Sequence, residues 1–452
     1  MPDHRALISR HPLQRLGVAL MLAFGASAAV QAQSLQELYD AARGYDAAYL
    51  SARSQADSAQ YKAAQSDALV RPSLGLGVTG THQRVDPPSS GNVNSNTVQA
   101  GLTGKYSLYN PANRLTVDQA QRGLTIAMAD LDAAEQDLIM RVAQAYFDVL
   151  AAKDALGTAR ANKAGIAEQL ASAKRNFEVG TATITDTREA QARYDLATAA
   201  EIAAENDLRI KGVTLDQLVG RVAVDPKPLA VPVALPAVTP LTIDPWVNQA
   251  DELHPSVRKA RLALEIAKLE IGKARAADGV TVDLSGSVGG QNLHNNLSGV
   301  AATSSGVGTA KNASLSVSIN YPLYTGGYNQ NRLKETLALE EKSRNDVDYA
   351  RRTVAEGTKR VFLSVQSLAA QVKALEAAES SSKLALDATQ LGYKVGVRVN
   401  LDVLNAQTQL FNARRDLAKA RYDVLVNSLR LRQASGQLRP EDVAAVNQLL
   451  AR

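Results

Sequence analysis

Branched apolar residues recur at every seventh position along the C-terminal part of this chain. Proline is absent there and also between Pro111 and Pro226, and both stretches are rich in alanine, leucine, glutamine and charged residues, which favour helices. Sustained seven-residue spacing predicts helices that supercoil around each other in a left-handed sense. We therefore predict long coiled-coil helices at 113–179, 185–219, 328–394 and 400–436. The heptad positions are Val347, Val354, Val361, Leu368 and Leu375, then Val403, Leu410, Leu417, Val424 and Leu431.

The length of these helices limits the architecture. A helix over 113–179 would run about 100 Å at 1.5 Å per residue. No compact globular domain needs a helix of that length, whereas a tube or a long coiled coil does. The pattern therefore predicts an extended molecule.

Four other segments alternate apolar and polar residues, which is typical of strands with one apolar face. They lie at about 70–84, 96–110, 280–294 and 312–326. In the last segment, serines and Asn320 alternate with a row of apolar residues, which is Leu315, Val317, Ile319, Tyr321 and Leu323. The length suits a tilted membrane strand, although a soluble hairpin would show the same alternation. Four strands cannot close a barrel, whereas three copies of four strands give 12.

The chain contains an internal duplication. The segment Phe177–Asp186 (FEVGTATITD) resembles Tyr393–Asp402 (YKVGVRVNLD), and both the glycine and the aspartate pairs are 216 residues apart. Between the copies, Val222–Pro245 holds six of the 15 prolines and is predicted to be a linker. The predicted organisation is a first repeat at 33–221, a linker at 222–245, a second repeat at 246–437 and a C-terminal tail at 438–452. Each repeat is predicted to open with a helix, at about 35–69 and 245–277.

Residues 1–32 have the features of an export signal. Arg5, Arg10 and Arg15 precede an uncharged run over Leu16–Val30, which is shorter than the ~20 residues that a spanning helix needs. We predict cleavage after Ala32, which the intact mass of the mature protein would test; an uncleaved anchor helix is the alternative. Cleavage removes three arginines and one aspartate, so the net charge falls from +5 to +3. The remaining charge gives no basic tract typical of nucleic-acid binding.

Catalytic chemistry is not indicated anywhere in the sequence. The chain has no cysteine, which excludes disulfides, thiolate nucleophiles and cysteine-ligated zinc. After the leader, the histidines are His82, His254 and His294, and none has metal-ligand spacing or a nucleophile motif around it. No glycine-rich phosphate loop opens a helix. We expect no enzyme activity and no cofactor.

Taken together, these features resemble the TolC family of outer-membrane factors, from about Leu35 to Gly436. The resemblance rests on the two Val-Gly turns and on the strand ends Tyr106–Tyr109 and Tyr321–Tyr324, followed by Asn-Pro or Gly-Gly. It implies a helix-dominated fold with duplicated halves: a homotrimer that forms a 12-stranded β-barrel in the outer membrane, with a coiled-coil helical barrel in the periplasm. It also implies a passive exit duct for a tripartite efflux pump or type I secretion system. The implied partners are outer-membrane lipid, a periplasmic adaptor, and an inner-membrane ABC or proton-driven transporter.

The resemblance further implies a gate at the periplasmic tip, where the turns at Gly180 and Gly396 lie. Tyr393 matches a tyrosine that bonds the position of Asp186. Arg398 matches an arginine that bonds the positions of Thr185 and Asp186 within and between subunits. Without the family, capping of a helix would explain Asp186, with Glu189 three residues later; Arg398 would be a solvated charge, and Tyr393 a packing aromatic.

Asp402 matches an aspartate that faces the lumen, where three copies would form a ring that favours cations. Asn405 stands where a second aspartate can occur, so we expect a weaker acidic ring. Gln390, matched by Gln169, stands at a bonding position that can be glutamate, so this contact should hold the gate less firmly. For Asp402, a favourable interaction with a helix N-terminus is the alternative reading.

Two other functions remain open at this stage. A periplasmic adaptor would have one coiled-coil hairpin between compact β-domains, and a trimeric adhesin would have a single parallel helix as its stalk. A duplicated antiparallel hairpin with a proline-rich linker favours the channel over both.

Overall fold

The structure, a computed structural model, describes residues 32–85, 93–230, 235, 239–297 and 308–451. The predicted leader and its cleavage therefore lie outside the described residues, apart from Ala32. Each half begins with two short helices, followed by two strands and two long helices. In the first half these are α1 (Leu35–Tyr45), α2 (Ala47–Ser66), β1 (Ser73–Val85), β2 (Val93–Tyr109), α3 (Pro111–Glu178) and α4 (Ile184–Val219).

The second half repeats this order. It consists of α5 (Ile243–Leu253), α6 (Pro255–Ala276), β3 (Thr281–Leu297), β4 (Gly308–Asn320), α7 (Tyr328–Lys394) and α8 (Asn400–Ala434). A final helix, α9 (Pro440–Asn447), lies in the predicted C-terminal tail. Among the described residues, no helix combines the length and the apolar character needed to cross a membrane.

The opening segment of each half is bent, whereas the sequence predicted one helix in each. Asp46 separates α1 from α2, and its carboxylate accepts a hydrogen bond from the Tyr49 backbone N–H at 2.8 Å. Arg141 of α3 donates two further bonds to this carboxylate, at 2.7 and 2.9 Å, and they hold the pKa of Asp46 below its ordinary value. His254 separates α5 from α6 because Pro255, which follows it, disfavours helical backbone at the preceding residue.

The four strands form one antiparallel sheet in the order β1-β2-β3-β4. The two halves of the chain meet at β2 and β3, where Leu102 pairs with Val288. The outer edges of β1 and β4 have no strand partner within the described residues. β4 ends at Asn320, earlier than predicted, because Pro322 cannot donate a ladder hydrogen bond. Tyr321 and Leu323 therefore lie beyond the strand.

The alternation in the sequence sorts the side chains onto two faces of this sheet. On one face, the register places Leu76, Leu102 and Val288 side by side across three strands. On the other, Ser287 and Ser314 are joined by a hydroxyl hydrogen bond of 2.8 Å. The apolar side chains remain open in the single chain, with Leu74 83% and Leu315 78% exposed.

The four long helices lie side by side in the order α4, α3, α8, α7, because α3 contacts α4, α8 contacts α3, and α7 contacts α8. Every predicted heptad residue of α8 is buried. The partner heptad residues Val361, Leu368 and Leu375 of α7 are partly buried against the same clusters. The heptad pattern therefore identifies the face on which the second hairpin packs.

The largest apolar cluster lies between α1, α3, α4, α8 and α9, about midway along α3 and near the C-terminal ends of α4 and α8. Its fully buried members include Leu38, Tyr146 and Leu425. The linker crosses this region, and the Tyr146 hydroxyl donates to the Lys227 carbonyl at 2.8 Å. A bridge between Leu229 and Leu450 then attaches the linker to the C-terminal tail. The described part of the linker is thus fixed to the core at these points.

Candidate channel gate at the two helical turns

The two turns predicted to form the tip have the same backbone geometry. Gly180 has a φ of 79° and Gly396 a φ of 77°, a left-handed conformation that favours glycine. In the first turn, the Thr181 N–H donates to the Asn176 carbonyl at 2.8 Å; in the second, the Val397 N–H donates to the Gly392 carbonyl at 2.9 Å. The two turns therefore share individual backbone hydrogen bonds as well as a similar sequence.

At the first turn, the carboxylate of Asp186 is engaged locally. It accepts from the Thr183 backbone N–H at 2.9 Å and from the Thr183 hydroxyl at 2.8 Å, while the Asp186 N–H donates back to that hydroxyl. The cap of α4 is therefore Thr183, with Asp186 as its reciprocal partner, and not Asp186 with Glu189. Thr185 is exposed.

At the second turn, Arg398 and Tyr393 have partners other than the predicted ones within the chain. Arg398 lies 3.6 Å from the carboxylate of Asp402, one helical turn along. The Tyr393 hydroxyl accepts a hydrogen bond from the side-chain amide of Asn176 at 3.0 Å, which joins the ends of α7 and α3. Neither residue bonds Thr185 or Asp186 of the same subunit, so bonds to those positions require a neighbouring subunit.

The remaining predicted positions differ in their surroundings. The exposed Asn405 accepts a hydrogen bond from the Arg193 guanidinium of α4 at 3.0 Å. Gln169 and Gln390 are both partly exposed, and no hydrogen bond joins them in the described chain. The side-chain oxygen of Gln169 is buried and has no partner among the described residues.

Several residues that the sequence analysis did not select dock the second hairpin onto the first near the tip. Leu404 of α8 is 1% exposed and lies in a cluster with Ile166 of α3 and Ala197 of α4. Gln407 donates to the Asn162 carbonyl at 3.2 Å and fills the space over Gly165. A glycine inside a long helix can mark a position where another helix packs closely against it. Gly165 was therefore a signal in the sequence for this contact.

The described residues of this site provide contacts between helices and charged groups at the surface. Among the described residues, no group of three or more histidine, aspartate or glutamate side chains is arranged to hold a metal ion. The side chains here are amides, hydroxyls, guanidinium groups and carboxylates at helix ends. They can tie helices together and give the surface a charge.

A family model described as outer membrane efflux protein matches residues 38–221 and 246–437. This chain belongs to that family. It is similar to outer membrane protein TolC of Vibrio cholerae, with 32% identity over 426 residues that cover 93% of this chain and 94% of that protein. The Escherichia coli outer membrane protein TolC is 29% identical over 431 residues, which cover 95% of this chain and 87% of that protein.

Among solved structures, outer membrane protein VceC of Vibrio cholerae shares the fold. Its TM-score is 0.75 at 21% identity, and the match covers 89% of this chain and 96% of that one. The predicted fold class, with duplicated halves, four strands per chain and long coiled-coil helices, is thereby confirmed as that of the trimeric TolC-like channels.

Family membership also decides between the functions left open by the sequence. The relatives are outer-membrane channels for efflux or type I secretion. This protein is therefore an outer-membrane channel protein of the efflux and secretion class, and it is not an enzyme. The adaptor and adhesin alternatives are excluded.

Proposed function

We propose that three copies of this chain form a continuous duct, closed at the two helical turns. A periplasmic adaptor and an inner-membrane ABC or proton-driven transporter open this duct, in a tripartite efflux pump or a type I secretion system. The duct itself is passive. The observation that carries the proposal is that, among the described residues, both edges of the sheet and both flanks of the helical layer are left uncovered.

The sheet supports a trimer because it has two free edges. Exposed edges of β1 and β4 present unpaired backbone groups, which in a lipid bilayer must find partners. Pairing β4 of one copy with β1 of the next satisfies both edges at once. Three copies of four strands then close a barrel of 12, with the apolar face toward lipid and the serine-rich face toward the lumen.

The helices support the same closure. On α7, the flank opposite α8 carries an exposed heptad stripe, which consists of Leu363, Ala370, Ala377, Leu384 and Leu391. On α4, apolar residues that include Leu196 and Ile210 are also exposed. Because α4 and α7 lie at the two ends of the helical layer, α4 of one copy can pack against α7 of the next. A head-to-tail contact of this kind closes into a ring.

The total surface supports burial by neighbouring copies. The single chain has an accessible surface of 28508 Å². A compact monomer of 48.0 kDa would expose about 16,500 Å² by the usual scaling with mass. Exposed apolar side chains lie on the sheet face and on the α4 and α7 flanks, among them Leu74, Leu196 and Leu384, and these are surfaces that the proposed barrel covers.

The gate proposal rests on charges that the subunit leaves available. The side chain of Arg398 is 61% exposed and Thr185 is exposed, so Arg398 can bond Thr185 and Asp186 of a neighbouring copy. In this proposal Asp402 faces the lumen, where three copies would form one acidic ring. The neutral Asn405 leaves that ring without a second row of carboxylates.

Native mass spectrometry of the detergent-extracted protein tests the assembly. We expect a trimer for the parent and loss of the trimer for Leu384→Glu, because the variant would bury a carboxylate in the seam between subunits. Ala385→Glu is the matched control, since Ala385 is exposed and points about 100° away around the helix. Because Leu384 is 68% exposed in the single chain, the variant subunit should keep its helical content.

A parent that is monomeric or dimeric in mild detergent would contradict the proposal. So would a Leu384→Glu trimer as stable as the Ala385→Glu trimer. Circular dichroism of each variant shows whether the subunit itself remains folded.

A further inference from the structure

We infer that Arg193 is a further gate residue, which joins α4 to α8 through a hydrogen bond to Asn405 and sets the charge of the constriction. We call this hydrogen bond the clasp. This inference deepens the proposed function and rests on it, because it takes the two turns to be the closed end of the duct. The observation behind it is the hydrogen bond of 3.0 Å from the Arg193 guanidinium to the Asn405 side-chain oxygen.

The clasp has a defined position in the helices. Leu404, which immediately precedes Asn405, is buried among Ile166, Ala190 and their neighbours on the first hairpin. This anchor holds α8 against α3 and α4 at the level where Arg193 can reach it. Since Leu404 is buried in the hairpin core and Asn405 is exposed, the clasp lies at the surface of the interface, where solvent and a passing ion can reach it.

The clasp joins two elements that must separate for the second hairpin to move. Asn176 to Tyr393 ties α3 to α7 at the turns themselves, and Arg193 to Asn405 ties α4 to α8 further along the helices. Breaking the first tie alone would leave the second in place. Arg193 therefore adds a second point of attachment for the closed arrangement.

The clasp also places a positive charge beside the acidic ring. Asn405 is three residues after Asp402, so both lie on the same face of α8, about 4.5 Å apart along its axis. In each subunit the Arg398 guanidinium lies 3.6 Å from the Asp402 carboxylate, and the Arg193 guanidinium binds Asn405, about one helical turn further along. The parent should consequently favour cations only weakly, and loss of the Arg193 charge should strengthen that preference.

Two variants separate the clasp from the charge. Asn405→Ala removes the bond and keeps the guanidinium, whereas Arg193→Gln removes both. An exposed bond of this type changes an equilibrium by about two- to five-fold per subunit. Compounded over three symmetric copies, the shift toward the open state is on the order of ten-fold to a hundred-fold.

The experiment is single-channel recording in planar bilayers, with the reversal potential measured across a potassium chloride gradient. We expect both variants to conduct more than the parent and only Arg193→Gln to become more cation-selective. Arg193→Lys, which keeps the charge, should retain the parental reversal potential. The matched control is Arg188→Gln, which removes the same charge from an exposed position on the same helix. It should keep the parental conductance.

Parental conductance in both Asn405→Ala and Arg193→Gln would overturn the inference, and so would an unchanged reversal potential in Arg193→Gln. Failure of the proposed function is distinguishable, because the parent would then form no trimeric pore at all. A residue with a purely structural role would lower the melting temperature of the trimer and leave the reversal potential unchanged.

Discussion

The gate is most directly tested by removing its tyrosine and arginine contacts together, with Tyr393→Phe and Arg398→Ser in one variant. Tyr393→Phe removes the hydroxyl that accepts from Asn176 at 3.0 Å, a partly buried bond worth about 1 kcal/mol. Arg398→Ser removes the pair with Asp402 and the proposed bonds to the neighbouring subunit. Because the Arg398 side chain is 61% exposed, solvent screening limits this contribution to about 0.5–1 kcal/mol.

The magnitude follows from three-fold symmetry. Each subunit loses about 1.5–2 kcal/mol of closing free energy, so the trimer loses about 4.5–6 kcal/mol. That loss shifts the equilibrium between closed and open states on the order of a thousand-fold to ten-thousand-fold. The trimer should still assemble, because the sheet, the heptad core and the α4 and α7 flanks are unchanged.

The assay is single-channel conductance in planar bilayers, with the oligomeric state checked by native mass spectrometry. We expect a large rise in conductance from an intact trimer. Tyr61→Phe with Arg53→Ser is the matched control, since it makes the same chemical changes at exposed positions of α2. If the Tyr393/Arg398 variant is trimeric and conducts like this control, both residues are ordinary turn residues and the gate lies elsewhere.

Three further predictions concern charge, packing and pH. Asp402→Asn should lower cation selectivity in reversal-potential measurements with the closed conductance little changed. In Gly165→Ala, the new Cβ would lie 2.1 Å from the Gln407 amide nitrogen, so this side chain must move and give up its bond to the Asn162 carbonyl, which offsets the gain in helix propensity. Melting should therefore show Gly165→Ala to be less stable than Gly157→Ala, which meets no atom within 4 Å and should be slightly stabilising. Burial lowers the pKa of His254, whose neutral Nδ1 accepts from the Ser256 N–H. The folded state therefore takes up the proton less readily than the unfolded state, and this contribution to stability is lost as the pH falls below about 6.5. The melting temperature of the parent, compared between about pH 7.5 and about pH 5.5, should show that loss. His254→Asn keeps a side-chain acceptor for the cap and should show less of it.

The local pattern of the sequence was sufficient for most of the architecture. Heptads depend only on the spacing of branched residues along one helix, and the stripe from Val403 to Leu431 is buried as predicted. The alternation of Leu315 with its serine neighbours likewise describes the two faces of β4. Each of these patterns reports a period that the backbone itself imposes, which is why one sequence was enough.

The ends and bends of the helices and strands were harder to predict from the sequence. Asp46 interrupts the first opening helix because its carboxylate caps α2 and binds Arg141, which lies 95 residues further along the chain. A sequence shows the capping residue but not the arginine that makes the bend favourable. The early end of β4 before Pro322, by contrast, follows from a rule that the sequence analysis could have applied.

The bonding partners at the tip were decided by the tertiary structure alone. The sequence identified Tyr393, Arg398 and Asn405 as polar residues at matching turns. It could not indicate that Tyr393 would bind Asn176, or that Arg193 would reach Asn405 from another helix. These pairs are 217 and 212 residues apart in the chain, and they meet because Leu404 packs into the first hairpin. Periodicity determines which face of a helix is buried, whereas the partner of an exposed polar group depends on the angle and register at which two helices cross.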